Sequence, residues 1–218
     1  MHGARPGPSL GQSLKECFIL FGKVHGCAPI VVAGSRRANA SVRSLLWLVV
    51  LVAAIPGVVV SAPVLKLDAP NVVIISPRLV TSGQPTPKAL ASLASQGFGA
   101  DIYLAPPTVS DAVHDEAAIV ERQGVAYVNI PIKFNQPTEA DFVAFSSAMR
   151  RFSGRKVLVH CQINLRASSM VFVYRTIVGR ENPDRAYEAV TRVWVPDGPW
   201  KAFITRLLRK NHVAFEPY

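Results

Sequence analysis

The segment Cys161-Gln-Ile-Asn-Leu-Arg166 places a thiol and a guanidinium close together in the chain. It follows the apolar run Lys156–His160, which predicts a strand, and precedes a stretch from Ala167 that predicts a helix. The backbone N–H groups of such a turn and the positive end of the helix dipole form a cradle for a tetrahedral anion. A thiol in that cradle is favoured as its nucleophilic thiolate. We therefore predict that Cys161 attacks a group whose oxygens Arg166 holds through two parallel hydrogen bonds.

Four stretches of the chain resemble a known enzyme superfamily. They are residues 81–86 (Thr-Ser-Gly-Gln-Pro-Thr), 101–106 (Asp-Ile-Tyr-Leu-Ala-Pro), 127–131 (Tyr-Val-Asn-Ile-Pro) and 159–168 (Val-His-Cys-Gln-Ile-Asn-Leu-Arg-Ala-Ser). Together they resemble the cysteine-dependent protein tyrosine phosphatases, and among these a bacterial phosphatase-like family related to a domain fused to β-lactamase-like hydrolases. The cysteine loop is the most specific part of the resemblance. The resemblance implies a hydrolase that cleaves phosphate monoesters through a phosphocysteine intermediate, with phosphotyrosine as one candidate substrate.

The cysteine loop is one residue shorter than the usual tyrosine phosphatase loop. Four residues separate Cys161 from Arg166, whereas the superfamily usually has five, and Ser168 keeps the usual distance from the cysteine. Loops of this shorter length are also typical of rhodanese-like sulfurtransferases, in which Cys161 would carry a persulfide. Loop length favours sulfur chemistry, while His160, Ser168 and the upstream stretches favour phosphate. Phosphatase is therefore the first interpretation and sulfurtransferase the alternative.

The remaining loop residues receive supporting roles. Four residues are expected to bind the substrate mainly through backbone amides, namely Gln162, Ile163, Asn164 and Leu165. Asn164 can also hydrogen-bond within the loop, and no side-chain chemistry is predicted for the other three. By the resemblance, His160 holds the loop and the cysteine in place, although a core histidine without such a role is an alternative. Ser168 either stabilises the thiolate when it leaves or caps the following helix.

The sequence leaves the general acid open. A phosphatase gains from a carboxylic acid that protonates the departing alkoxide and then activates water. The resemblance places this acid shortly before Pro137, where the chain has Asn135 instead. The carboxylates that remain as candidates are Asp111, Asp115, Glu116, Glu139 and Asp141. Because Asp141 is already explained by helix capping and none of the others stands out, a non-catalytic phosphate- or anion-binding module is a third interpretation.

Composition and motifs indicate which kinds of partner and cofactor the protein binds. The formal net charge is +10, and half of this excess lies in residues 1–61. No nucleic-acid module and no arginine-aromatic stripe is present, so we predict no nucleic-acid partner but a phosphorylated protein or a small phosphate ester. No group of His, Cys and carboxylates has metal-ligand spacing, and no Gly-rich nucleotide loop occurs, so we predict no metal and no cofactor. The turn Ser82-Gly-Gln-Pro85 either borders the site or simply leads into a helix.

An apolar block precedes the predicted domain. Residues 45–60 follow three arginines and end in small residues, an order that predicts a signal peptide cleaved after Ser61. The block is shorter than the ~20 residues that span a bilayer comfortably, which favours the cleaved signal. An uncleaved anchor in the inner membrane is the second interpretation, and a buried core helix is the third. We therefore predict an exported, periplasmic or otherwise extracytoplasmic protein. Residues 1–41 would place the signal peptide too far from the N-terminus of the protein. We therefore predict that translation starts near Val42.

Strand and helix patterns alternate from residue 65 to residue 218. The predicted strands are 72–75, 79–81, 101–104, 126–130 and 156–160, and the predicted helices are 86–95, 110–123, 138–152, 167–178, 182–193 and 198–209. This alternation, with short connections, predicts one α/β domain with a central, mainly parallel sheet flanked by helices. The resemblance adds that its architecture is tyrosine phosphatase-like.

Overall fold

The computed structural model describes residues 65–218. In this part of the chain the strands are β1 (Val73–Ser76), β2 (Leu79–Ser82), β3 (Phe98–Tyr103), β4 (Ala126–Asn129) and β5 (Lys156–His160). The helices are α1 (Pro87–Leu90), α2 (Glu116–Glu121), α3 (Glu139–Arg151), α4 (Leu165–Ile177), α5 (Pro183–Thr191) and α6 (Gly198–Lys210), with a 3₁₀ turn at Ala94–Gln96. None of these helices is long and apolar enough to cross a membrane. The predictions about the apolar block at 45–60 and the start near Val42 lie outside the described residues.

β5 occupies the middle of the sheet and ends at the residue before Cys161. The strand order is β1-β2-β5-β3-β4, with β1 antiparallel to β2 and the other neighbours parallel. Val80 of β2 and Asp101 of β3 flank Leu158 in the register. The carboxyl ends of parallel strands form the edge at which α/β folds bind ligands. The prediction of a single α/β domain with a mainly parallel central sheet is confirmed.

Both faces of β5 are buried because helices cover both sides of the sheet. Val157 and Val159 pack into the larger core with residues of α3, α4, α5 and α6, while Leu158 packs into the smaller core with residues of α1 and α2. Successive side chains of a strand point to opposite faces, so a strand covered on both sides needs an unbroken apolar run. The run Lys156–His160 has this pattern, with only its first residue partly exposed.

α4 runs through the larger core and thereby fixes where the cysteine loop ends. Most of its thirteen residues are buried, including Met170, Val171 and Phe172. Phe172 packs edge to face on Tyr187 of α5, with 5.0 Å between the ring centroids. A helix that is buried on nearly every side belongs to a core, as the apolar sequence from Met170 onward indicated.

Local capping signals set several helix bounds. Thr138 Oγ1 accepts a hydrogen bond from the Asp141 N–H, and the Asp141 carboxylate accepts one from the Thr138 N–H, which completes a capping box at the start of α3. The Asn182 side chain accepts a hydrogen bond from the Arg185 N–H at the start of α5, ahead of a proline in the first helical position. These predicted starts are confirmed.

Two predicted helices differ from the structure. Residues 110–123 were expected to be one helix capped by Ser110, but α2 is only Glu116–Glu121, and the preceding residues form successive turns. Asp111 in these turns accepts a hydrogen bond from Gln162 of the cysteine loop, and tertiary contacts of this kind override local propensity. The predicted helix 86–95 stops after one turn, since Ser92 and Ser95 hydroxyls donate to backbone carbonyls and compete with the helical pattern.

Candidate active site

The cysteine loop is shaped by a left-handed residue and by contacts from distant parts of the chain. Asn164 has φ +72°, which an asparagine tolerates better than most residues. Its side-chain amide donates to the Asn71 carbonyl over 2.6 Å and to Thr81 Oγ1 over 3.0 Å. Asn164 therefore ties the loop to the β1–β2 side of the sheet. Its side chain bonds outside the loop, whereas we had expected a bond within it.

Cys161 lies at the bottom of a surface cavity of about 400 Å³. The lining residues are Ser110, Asp111, Phe134, Cys161, Gln162, Ile163, Leu165 and Arg166. The Cys161 side chain is buried, and its N–H donates to the Ser82 carbonyl over 3.3 Å. α4 begins at Leu165, so its N-terminus and the Arg166 guanidinium meet at this cavity and stabilise an anion there.

Arg166 is held so that its terminal nitrogens remain available to a ligand. Only 5% of the residue is exposed. Its Nε donates to the Ile132 carbonyl over 3.0 Å, and the guanidinium lies over the Phe134 ring at 5.1 Å from the centroid. Nη1 makes a long, 3.4 Å contact with Gln162 Oε1. A guanidinium fixed at Nε presents its fork to a tetrahedral oxyanion without a further loss of side-chain freedom.

Asp111 reaches the cavity from the loop that precedes α2. Gln162 Nε2 donates to Asp111 Oδ1 over 2.8 Å, while Gln162 Oε1 faces Arg166. The Gln162 side chain thus bridges an acid and the anion-binding arginine. The sequence predicted mainly a backbone contribution from Gln162, and the structure adds these two side-chain contacts.

The other candidate acids are engaged elsewhere. Glu139 forms an ion pair with Lys210 of α6, and Asp141 belongs to the capping box of α3. Asp115 is the residue before α2, and Glu116 is buried beneath the loop. Of the five carboxylates, Asp111 is the one that lines the cavity. Asn135 occupies an exposed turn after Phe134.

Two of the predicted loop residues face the cavity and one does not. Ile163 is 49% exposed at the rim, and Leu165, the first residue of α4, completes the wall. Ser168 is buried, and its hydroxyl donates to the Leu165 carbonyl over 3.2 Å. Ser168 is therefore an internal residue of α4 and does not cap it, because the N-cap position is Asn164. The role of Ser168 in stabilising the thiolate stays a prediction.

The turn after β2 supports the cysteine loop from behind. Gly83 N–H donates to the Pro70 carbonyl, and Gln84 N–H donates to the Gln162 carbonyl over 2.9 Å. A Cβ atom on Gly83 would stand 2.6 Å from the Gln162 carbonyl oxygen, so the close approach requires glycine. The turn lies against the loop backbone and does not line the cavity.

A buried charge cluster lies directly under the loop. His160 Nε2 is 2.8 Å from Glu116 Oε1 and 3.2 Å from Asp101 Oδ1, and the Tyr103 ring stacks on the imidazole at 4.9 Å. Burial alone would lower the pKa of His160, but the two carboxylates outweigh it and raise the pKa to about 10. Burial also raises the pKa of Asp101, against the opposing effect of His160. A pKa raised in this way favours the imidazolium form of the ring at neutral pH.

Sequence spacing did not predict this cluster. Its three side chains offer ligand-type atoms within 4.8 Å of one another. A protonated His160 would form ion pairs with both carboxylates. One signal was present in the sequence: Asp101 is a charged residue within the otherwise apolar strand β3, and a buried charge needs a partner.

Comparison with known proteins identifies the family. Residues 74–196 match the model of the family described as DSP-PTPase phosphatase fused to NAD+ kinase. The chain belongs to this phosphatase family. The matched region contains the cysteine loop, the charge cluster and all five strands, of which only the first residue of β1 lies outside. The resemblance to the tyrosine phosphatase superfamily is confirmed, and the matched residues form a tyrosine phosphatase-like domain.

Individual relatives agree with this assignment. The phosphatase is 34% identical over 120 residues to a β-lactamase hydrolase-like protein of Xylella fastidiosa, a match that covers 52% of this chain and 27% of the relative. The chain thus spans about a quarter of that relative's length. It is similar to the crystal structure of a putative phosphatase (DUF442) from Shewanella putrefaciens CN-32, with 30% identity, a TM-score of 0.60 and coverage of 66% of this chain and 94% of that one. Tk-PTP shares the fold at 22% identity and a TM-score of 0.52, over 65% of this chain and 96% of that chain.

Proposed function

We propose that this phosphatase hydrolyses phosphate monoesters through a phosphocysteine intermediate, with Cys161 as nucleophile. Arg166 and the loop amides hold the phosphoryl oxygens, and Asp111 is the general acid. The observation that carries the proposal is that these three side chains line one cavity at the carboxyl end of the central strand. A nucleophile, an anion clamp and an acid in one cavity are the parts that phosphoryl transfer to a thiolate requires.

The first step transfers the phosphoryl group to sulfur. The Cys161 thiolate forms an S–P bond while the bond from phosphorus to the leaving oxygen breaks, and Asp111 gives its proton to that oxygen. Gln162 donates to Asp111 Oδ1, which leaves Oδ2 to carry the proton. Arg166 and the N-terminus of α4 stabilise the charge on the transferred group.

The second step releases phosphate. Asp111, now a carboxylate, takes a proton from water as the water oxygen attacks phosphorus. The S–P bond breaks, and the electron pair returns to the Cys161 thiolate. The products are inorganic phosphate, the alcohol or phenol of the first step, and the enzyme in its starting state.

The rim of the cavity favours an aromatic leaving group. Phe134 is 39% exposed and Ile163 is 49% exposed, and both line the cavity above Cys161. Phe134 also packs on Trp194 and Trp200, with ring centroids 6.1 and 6.0 Å away, so its ring is fixed. A planar ring between these two side chains would bury apolar surface on both faces. We therefore propose aryl phosphates, including phosphotyrosine in proteins, as the substrate class.

The apolar block at 45–60 supports a proposal about location. A basic stretch followed by an apolar region is the pattern of a signal peptide or an N-terminal anchor. We propose that the phosphatase acts outside the cytoplasm, either released after Ser61 or tethered by this block. Fractionation of cells with N-terminal sequencing of the mature protein tests both forms, and a cytoplasmic protein with an intact N-terminus contradicts the proposal.

Turnover assays test the chemistry. The reduced enzyme should release phosphate from 4-nitrophenyl phosphate, and Cys161→Ser should abolish the reaction. Arg166→Lys loses the bidentate clamp and should lower kcat/KM on the order of 10²-fold, whereas Arg206→Lys on the exposed side of α6 should leave it unchanged. Rapid quenching followed by mass spectrometry should find the phosphoryl group on the Cys161 peptide.

A parallel assay addresses the sulfurtransferase alternative. The same enzyme is incubated with thiosulfate and cyanide, and thiocyanate is measured. Thiocyanate formation that depends on Cys161, without release of phosphate from the aryl ester, would contradict the proposed function. Phosphate binding without turnover of either substrate would leave the anion-binding interpretation in its place.

A further inference from the structure

The segment that carries Asp111 has no helix or strand of its own. It joins the end of β3 to the first residue of α2, and its backbone hydrogen bonds are single turns such as Ala112 N–H to the Val109 carbonyl. Nothing in regular secondary structure fixes where Asp111 stands relative to Cys161. Its position therefore depends on tertiary contacts, namely its own hydrogen bond with Gln162 and the contacts at the ends of the segment.

Glu116, at the end of this segment, is connected to both neighbours of Cys161 in the chain. Glu116 Oε1 lies 2.8 Å from Nε2 of His160, the residue before the cysteine. Glu116 Oε2 accepts a hydrogen bond of 2.7 Å from Gln84 Nε2, and the Gln84 N–H donates to the carbonyl of Gln162, the residue after the cysteine. One carboxylate thus joins the Asp111 segment to the cysteine loop by two routes.

Charge balance does not explain this carboxylate. Asp101 of β3 already gives His160 a counter-charge at 3.2 Å, and all three side chains are buried. Taking a second carboxylate out of water is costly, so a single imidazolium is better served by one acid than by two. The geometric role of Glu116 is distinct from that of Asp101, because Asp101 belongs to the sheet whereas Glu116 belongs to the segment with Asp111.

We infer that Glu116 is a positioning residue that holds the Asp111 segment against the cysteine loop and so sets the distance over which Asp111 delivers its proton. This inference rests on the proposed function, in which Asp111 is the general acid. Glu116 does not line the cavity with Cys161 and does not touch the substrate. It acts by keeping Asp111 within hydrogen-bond reach of the leaving oxygen.

The inference predicts a dependence on the leaving group. A poor leaving group such as phenol needs a proton as its bond to phosphorus breaks, whereas an activated phenol leaves without one. General acid catalysis is worth roughly 10²–10⁴-fold, so an acid that is present but displaced should forfeit a part of this, about tenfold. A residue that only supported the cysteine loop would affect both kinds of ester equally, since both need Cys161 and Arg166.

The experiment compares phenyl phosphate with a difluorinated umbelliferyl phosphate, using the full-length chain. The variants are Asp111→Asn, Glu116→Gln, their combination, Gln84→Met and, as a matched control on the exposed side of α2, Glu121→Gln. Glu116→Gln keeps the shape of the side chain. Gln84→Met removes only the donor to Glu116 and keeps the buried charges, so it serves as the second variant if Glu116→Gln fails to fold. Thermal unfolding of every variant is measured alongside kcat/KM.

The expected result is a selective loss. Glu116→Gln should lower kcat/KM about tenfold on phenyl phosphate and less than threefold on the activated ester, Gln84→Met should show a smaller loss with the same selectivity, and Glu121→Gln should match the parent enzyme. In the Asp111→Asn background, Glu116→Gln should add little, because the acid that it positions is already absent.

Each contrary result has a distinct meaning. Suppose that Asp111→Asn loses activity selectively on phenyl phosphate. If Glu116→Gln then loses activity equally on both esters, or loses none, the positioning role is overturned and the proposed function stands. If Glu116→Gln does not fold, an unselective Gln84→Met has the same consequence. Absence of selectivity in Asp111→Asn itself overturns Asp111 as the acid and the positioning role with it.

Discussion

Gln162 Nε2 donates a 2.8 Å hydrogen bond to Asp111 Oδ1, and this contact joins the cysteine loop to a segment 51 residues earlier. The same side chain presents its oxygen to Arg166. The cysteine loop, Arg166 and Asp111 are therefore linked by hydrogen bonds in the absence of substrate. In most α/β sites such groups are brought together by the ends of neighbouring strands, whereas here one glutamine side chain completes the arrangement.

Replacing Gln162 by leucine should separate acid delivery from phosphate binding. The variant removes the donor to Asp111, while Arg166 keeps its 3.0 Å bond to the Ile132 carbonyl. We expect kcat on phenyl phosphate to fall about five- to tenfold with little change in the inhibition constant of inorganic phosphate. Gln136→Leu, at an exposed position without a side-chain hydrogen bond to the described residues, is the matched control. Loss of phosphate affinity with unchanged kcat would contradict this role.

Replacing Phe134 by alanine tests the aromatic wall. The ring covers the Arg166 guanidinium and lines the cavity, so its loss removes apolar surface from a bound aryl group and a cation–π contact from the arginine. KM for 4-nitrophenyl phosphate should rise about three- to tenfold, and KM for a small alkyl phosphate should change less. Val143→Ala, on the exposed face of α3, controls for loss of a surface apolar group. An equal rise in KM for both esters would show that the ring acts on the arginine and not on the substrate.

Gly83→Ala should destabilise the protein through a steric clash with the backbone of the cysteine loop. The added methyl would meet the Gln162 carbonyl oxygen at 2.6 Å and Pro70 Cβ at 2.9 Å, and both belong to backbone or a rigid ring. Overpacking of this kind costs about 1–3 kcal/mol, which chemical denaturation measures directly. Gly99→Ala is the matched control, because there the nearest atoms are Cβ and Cδ of Arg155 at 3.2 Å, a milder approach than at Gly83. A free energy of unfolding that falls equally in both variants would contradict the account of the loop.

The buried His160 should remain protonated well above neutral pH. Its pKa in the folded chain is about 10, above the ordinary value of 6.5, so its stabilising contribution is complete below pH 6.5 and is lost as the pH rises toward 10. Carbon-13 shifts of the imidazole should report the imidazolium at pH 8, where a histidine peptide is neutral.

Asp101→Asn supplies the comparison for this titration. It removes one of the two carboxylates and should move the titration of His160 to lower pH, with an earlier loss of thermal stability on the alkaline side. Asp184→Asn, at an exposed position of α5, should leave both curves unchanged. A neutral His160 at pH 7 in the parent enzyme would contradict the charge assignment.

Signals that act over a few residues were sufficient to predict much of the fold. Thr138 with Asp141, and Asn182 ahead of a proline, mark helix starts by hydrogen bonds that close within one turn. The unbroken apolar run of β5 and the cysteine after it predicted a central strand that leads into an anion cradle. The positions of Cys161 and Arg166 in one cavity follow from these local elements.

What the sequence did not show depends on contacts between distant residues. Asp111 was one of five candidate acids, because its position in the cavity and its contact with Gln162 appear only in the folded chain. The segment around it was predicted to be helical because Ser110 suits an N-cap, whereas its contacts lie in another part of the chain. The pairing of Glu116 with His160 was equally hidden, because the two residues lie on different elements and no local pattern joins them.

The attachment of Asn164 to Asn71 and Thr81 has a consequence for synthesis. These partners lie 93 and 83 residues before it, so the contacts that close the cradle are among the most non-local in the domain. Contacts of such sequence separation form late, because a long loop must be closed first. A nascent chain that has just released Cys161 from the ribosome therefore carries an ordinary thiol, and the reactive site comes into being only with the finished fold.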